Sequence, residues 1–171
     1  MARANPLPAI QLSLLSFRRA KKSGSIVITG SFSGYTDTTP VCAYGGGKHA
    51  LVGLLRSFAT VAPTYGVSIT LVAPTMIDTP FAGPALKMFQ DMGLPINTAR
   101  RVAEAIAFLG LSDDMNGSGA ILVDGRLFEA EEGYHAFRKY WLGEEVTNLL
   151  DISSNPVVQP FRKGGELAKL H

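Results

Sequence analysis

At 171 residues, 46% apolar and 18% charged, the chain has the composition of one globular domain burying roughly two-thirds of its surface, not of a disordered or fibrous polymer. A net charge of +2 spread along the sequence provides no field for nucleic acid, and three scattered histidines form no metal-ligand spacing. A single cysteine excludes an internal disulfide and suggests a reducing, cytoplasmic setting, and no apolar run reaches the roughly 18 residues of a membrane span. The N-terminus has an apolar middle but carries its main charge cluster after it, the reverse of a secretory signal.

Residues 8–20, PAIQLSLLSFRRA, cluster Ile10, Leu12, Leu14, Leu15 and Phe17 at helical spacing. The helix they predict ends in Arg18-Arg19-Ala20-Lys21-Lys22, a solvated terminus whose cations complement the helix dipole. Asn5, ahead of it, reads as a helix cap or as part of a loose terminus. Ser25-Ile26-Val27-Ile28-Thr29 is apolar and β-branched without polar alternation, the pattern of a buried strand. Gly30-Ser31 opens a loop through Ser33, Gly34, Asp37 and Pro40, too rich in turn formers to extend it. Tyr44-Gly-Gly-Gly-Lys48 then enters a helix predicted over 46–62, with Pro63 and Gly66 as its stop. Glycine costs a helix roughly 0.5–1 kcal/mol relative to alanine, so this helix is expected to start late or to be loose.

Tyr44 and Lys48 are four apart, which on a helix puts them on one face at roughly 5–6 Å between Cβ atoms. A nearby ammonium favours ionisation of a phenol that titrates at about pH 10 in water, making Tyr44 a candidate general acid or base. Ser31 could bring a hydroxyl to the same substrate oxygen, and the three groups suit proton transfer to or from an alcohol or carbonyl. A Tyr and a Lys at this spacing are, taken alone, more often surface residues. Cys42 reads either as a nucleophilic thiol or as a small packing residue, with no histidine or carboxylate placed to activate it.

Tyr44 follows Ser31 by thirteen residues. An apolar strand, Gly-Ser, the spaced tyrosine, the lysine and an apolar helix in this order resemble the active-site half of the short-chain dehydrogenases/reductases, with their serine after a strand and YxxxK motif. The resemblance implies an α/β fold, a Rossmann-like doubly wound parallel sheet. It also implies hydride transfer between NAD or NADP and a small-molecule alcohol or ketone. By resemblance Tyr44 is the general acid/base, Lys48 lowers its pKa and holds the nicotinamide ribose, and Ser31 orients the substrate oxygen. Asn5 stands roughly where the family has an asparagine completing the site.

Val67–Ala73 is a second buried strand, running into Pro74-Thr75-Met76-Ile77-Asp78-Thr79-Pro80. This resembles the family's PG-containing loop and its (V/I)-x-T, so Pro74, Thr75, Met76, Ile77 and Thr79 are expected to hold the nicotinamide, with Thr75 standing where glycine is usual. Residues 81–98 mix Phe81, Leu86, Met88, Phe89 and Met92 with prolines and glycines, as a mobile apolar lid or a loose connecting helix; a lid implies an apolar substrate. Thr98 caps a predicted amphipathic helix to Leu109, 110–119 reads as a turn, and 120–123 is a third strand ended by Asp124-Gly125. Arg126 replaces the glycine that resemblance would place there. Residues 129–147 bring Tyr134, Phe137, Tyr140 and Trp141 together as packing or an oligomer contact, before a polar tail over 151–171.

The resemblance covers about residues 8–128, within a domain read as 1–150. It lacks the N-terminal βαβ units and the glycine-rich TGxxxGxG turn that cradles a pyrophosphate. Gly45-Gly46-Gly47 lies inside YxxxK and is no substitute. A partial sheet with an open apolar edge is therefore expected, and with it a homo-oligomer, poor solubility or a longer true chain. Two functions remain: a nicotinamide-dependent oxidoreductase, or a non-catalytic remnant that associates with itself or with a full-length relative.

Overall fold

The computed structural model describes residues 6–150; Asn5 and the tail over 151–171 lie outside the described residues. In chain order the elements are α1 (Leu7–Ala20), β1 (Gly24–Thr29), α2 (Cys42–Phe58), β2 (Val67–Pro74), β3 (Ile77–Asp78), α3 (Pro84–Asp91), β4 (Asn97–Thr98), α4 (Ala99–Leu111), β5 (Gly119–Val123), β6 (Arg126–Glu129) and α5 (Glu131–Leu142). Short 3-10 turns occupy Phe32–Gly34, Ala62–Tyr65 and Pro80–Ala82.

The main sheet has the order β1-β2-β5-β6. Strands β1, β2 and β5 are parallel, with Ile26 opposite Ile69 and Val72 opposite Ala120. Their side chains alternate between two apolar layers, which is why the sequence shows no polar alternation. Ile26, Ile28, Ile69, Leu71 and Ala73 join Ile10 and Leu14 of α1 and Val52 and Leu55 of α2 on one face. Val27, Val72, Ala120 and Leu122 meet Val102, Ala105 and Leu109 of α4 on the other. The sheet is doubly wound, as the resemblance implied.

Four features correct the sequence reading. Helix α2 begins at Cys42 and runs through its glycines rather than starting after them, and it ends at Phe58, followed by a turn over 59–61 and a 3-10 helix from Ala62. Its start is held by tertiary contact: a side chain at Gly45 would collide with the Thr38 hydroxyl of the preceding loop. Helix α4 continues to Leu111, into the expected turn. The expected end of the closing strand is instead a hairpin, with Asp124 and Gly125 at φ +48° and +72° and Val123 opposite Arg126 in an antiparallel pair with β6. Finally, the cofactor-like loop and the segment before α4 form a two-stranded sheet, β3 with β4.

Thr98 caps α4 as expected, its hydroxyl accepting the Arg101 N–H at 3.2 Å. In α3, Met88 is exposed, as are the flanking Phe81 and Met92. On α5, Tyr134 packs under the Arg56 guanidinium at 3.6 Å, whereas Phe137, Tyr140 and Trp141 are exposed.

Candidate active site

The carboxyl end of β1 and the first turns of α2 meet through Lys48. Its Nζ donates to the Gly30 carbonyl at 3.0 Å and, more weakly, to the Thr29 carbonyl at 3.4 Å. The same ammonium lies 5.7 Å from the centroid of the Tyr44 ring, within cation–π range. Lys48 thus touches both the backbone beside Ser31 and the candidate acid. Burial lowers its pKa from the usual lysine value. Two of its three N–H bonds are spent on carbonyls, leaving one for a ligand.

Ser31 ends the strand extension in a β conformation and caps the 3-10 turn, its Oγ accepting the Ser33 N–H at 3.2 Å. The hydroxyl hydrogen remains free to donate. The loop can lie this close to α2 because Gly34 packs on the Lys48 backbone carbonyl, which an added Cβ would meet at 2.8 Å. Tyr35 secures the loop further: its hydroxyl donates to Glu131 Oε1 at 2.9 Å, and Arg56 of α2 donates to Glu131 Oε2 at 2.7 Å. Burial foremost, and then the Glu131 charge, push the Tyr35 phenol pKa upward. Tyr44 itself is 38% exposed, and its hydroxyl makes no hydrogen bond among the described residues.

Pro74, Thr75, Met76, Ile77 and Thr79 follow from the end of β2. Pro74 is buried in the strand. The Thr75 N–H and hydroxyl both donate to the Leu122 carbonyl, at 3.0 and 3.2 Å. This is what the threonine does in place of glycine: its side chain ties the loop to β5. Ile77 packs against the α4 layer. The Met76 carbonyl is taken by Asn97, leaving Thr79, whose side chain does not cap the following turn, as the loop's free hydroxyl.

Asn97 was not legible in the sequence. It is 1% exposed, and its side chain bonds Thr75, Met76, Leu122 and Gly125 together. Its partners are 21 to 28 residues away in the chain, so no local pattern marks it. Among the described residues, no three His, Cys, Asp or Glu side chains gather as a metal site, and no helix is long and apolar enough to cross a membrane.

The family model for short chain dehydrogenases matches residues 4–88, a span containing Ser31, Tyr44, Lys48 and the loop after β2. The chain is 28% identical over 162 residues to a short-chain dehydrogenase/reductase, prx4, of Penicillium roqueforti, an alignment covering 81% of this chain and 48% of that protein. It is similar to the solved structure of ElxO with NADP bound, at 26% identity and a TM-score of 0.55, covering 68% of this chain and 51% of the other. A 4-hydroxyisoleucine dehydrogenase complexed with NADH shares the fold at a TM-score of 0.60 and 23% identity, covering 68% of this chain and 52% of that one. The chain spans about half the length of the relatives it matches. Motif order, doubly wound sheet and these matches agree, and the chain belongs to the short-chain dehydrogenase family.

Proposed function

We propose that the chain carries the proton-transfer centre of a nicotinamide-dependent oxidoreductase acting on an alcohol or ketone. The observation that carries this is Lys48, anchored by the Gly30 carbonyl while its ammonium faces the Tyr44 ring. In the reductive direction the Tyr44 phenol gives its proton to the carbonyl oxygen; in the oxidative direction the phenolate takes it from the alcohol. The Ser31 hydroxyl donates to that same oxygen and fixes its place. Lys48 holds its ammonium beside the Tyr44 ring, and its remaining N–H suits a ribose hydroxyl.

The nicotinamide cofactor, when bound, supplies or accepts the hydride. The residues present fit its nicotinamide-ribose end: the free N–H of Lys48 and the Thr79 hydroxyl are available donors. Similar solved structures carry NADP or NADH, and this chain's choice between them stays open. The exposed Phe81, Met88 and Met92 follow directly on the loop and suit an apolar substrate beneath them.

The test is calorimetric titration of the chain with NADH and NADPH, beside Tyr44→Phe and Lys48→Ala. Micromolar binding of either cofactor that Lys48→Ala weakens, with ketone reduction lost in Tyr44→Phe, supports the reading. A folded chain that binds neither sinks it. One observation favours a second reading, a non-catalytic chain associating with itself or with a longer relative: β1 ends the sheet among the described residues. Absent cofactor binding together with a defined oligomer would favour it.

A further inference from the structure

We propose that Asn97 is a positioning residue for the segment Thr75–Thr79, and through it for the nicotinamide; this rests on the cofactor reading above. The Asn97 Nδ2 donates to Thr75 Oγ1 at 3.0 Å, to the Leu122 carbonyl at 3.1 Å and to the Met76 carbonyl at 3.3 Å. Its Oδ1 accepts the Gly125 N–H at 3.0 Å, and its backbone N–H donates to the Met76 carbonyl at 2.8 Å. Both ends of a buried amide are therefore used, on three separate pieces of chain: the segment after β2, the end of β5 and the β5–β6 turn.

The segment has a few other restraints among the described residues. Thr75 reaches the Leu122 carbonyl, the carbonyl Asn97 also uses, and the two-residue ladder of β3 is with β4, which Asn97 itself begins. The Thr75 N–H and hydroxyl bonds to Leu122 and the Ile77 side chain, against the α4 layer, are independent of the Asn97 side chain, whereas the Met76 carbonyl is held by Asn97. The requirement is for an amide rather than for polarity. A carboxylate of the same shape could keep the Gly125 N–H but would set its second oxygen against three oxygen acceptors.

The alternative is a residue that merely stabilises the fold, and hydrogen exchange on the full chain separates the two. In Asn97→Asp, amides of residues 75–79 should exchange about tenfold faster or more, with α1 and α2 unchanged, as expected when buried hydrogen bonds are lost locally. NADH should bind about tenfold more weakly in the same variant. Leu14→Ala, which opens the core on the opposite face of the sheet without touching the segment, should speed exchange broadly and leave NADH affinity of the folded chain alone. Thr75→Val, a milder change at one Asn97 partner, should reproduce the local signature if Asn97→Asp does not fold.

Exchange in 75–79 that is no faster than elsewhere overturns the proposal. So does a loosened segment with unchanged NADH affinity. A wild-type chain that binds neither NADH nor NADPH removes the cofactor reading instead, and the exchange comparison alone then decides whether Asn97 sets the segment.

Discussion

Lys48 and Tyr35 are both partly withdrawn from water near the Ser31 loop, and their titrations carry opposite signs. Burial lowers the Lys48 pKa, so between that value and the ordinary lysine value the unfolded chain binds more protons than the folded one. The cost of holding the ammonium is present at neutral pH and relieved as pH rises. Cofactor affinity that depends on the ammonium should fall through the same window. Titration of NADH affinity against pH should show a fall in the wild type that is missing from Lys48→Ala.

Tyr35 behaves in the contrary way. Its folded pKa is raised, so the stability it contributes is complete below about pH 10, where a free phenol ionises, and is lost progressively above it. Urea midpoints measured across that range should decline more steeply for wild type than for Tyr35→Phe. Parallel declines would mean that the phenol's hydrogen bond to Glu131 is not what holds the loop. At this scale Ser31, Tyr44 and Lys48 were readable because a motif's spacing lies within one stretch of chain. Glu131 and Asn97 were not, because each acts on residues distant in sequence.

Helix α2 shows how tertiary contact overrides propensity. Its three consecutive glycines predict a frayed start, yet the helix forms from Cys42 with Gly45 pressed against Thr38. The three are not equivalent. Gly46 and Gly47 have nothing within 4 Å of where a Cβ would lie, so alanine at either should raise stability by roughly 0.5–1 kcal/mol. Gly45→Ala should lower it, because the Thr38 loop must move away. Thermal melts of the three single variants check the contrast; a uniform gain would mean that the loop yields freely. The hairpin after β5 was legible in principle. Asp-Gly after an apolar run is a strong two-residue turn signal, muted here because only Leu127 and Phe128 are apolar in the strand that follows.

Across the whole molecule, the two-layer packing was visible in the sequence and the order of the strands was not. Apolar runs at 26–29, 67–73 and 120–123 announce strands buried on both faces, but spacing alone cannot say which lies at an edge. The edge is β1. Gly24 donates to Gly66 and Gly30 to Val72, so by parallel alternation Gly24, Ile26, Ile28 and Gly30 face β2 while Ser25, Val27 and Thr29 turn their amides outward. Sedimentation velocity of the purified chain should show concentration-dependent association through this edge. Thr29→Pro, which removes an outward N–H without breaking the β2 ladder, should reduce it. Equal association in the variant would point to another surface, such as the exposed aromatics of α5.

Strand β2 has a neighbour on each side and an apolar layer above and below, and seven of its eight residues are buried. Each replacement there must satisfy four sets of surroundings at once. In a library of random variants the survivors should be scarcest across Val67–Pro74. Over evolutionary descent this stretch should drift slowest, while the water-facing sides of α3 and α5 accumulate change.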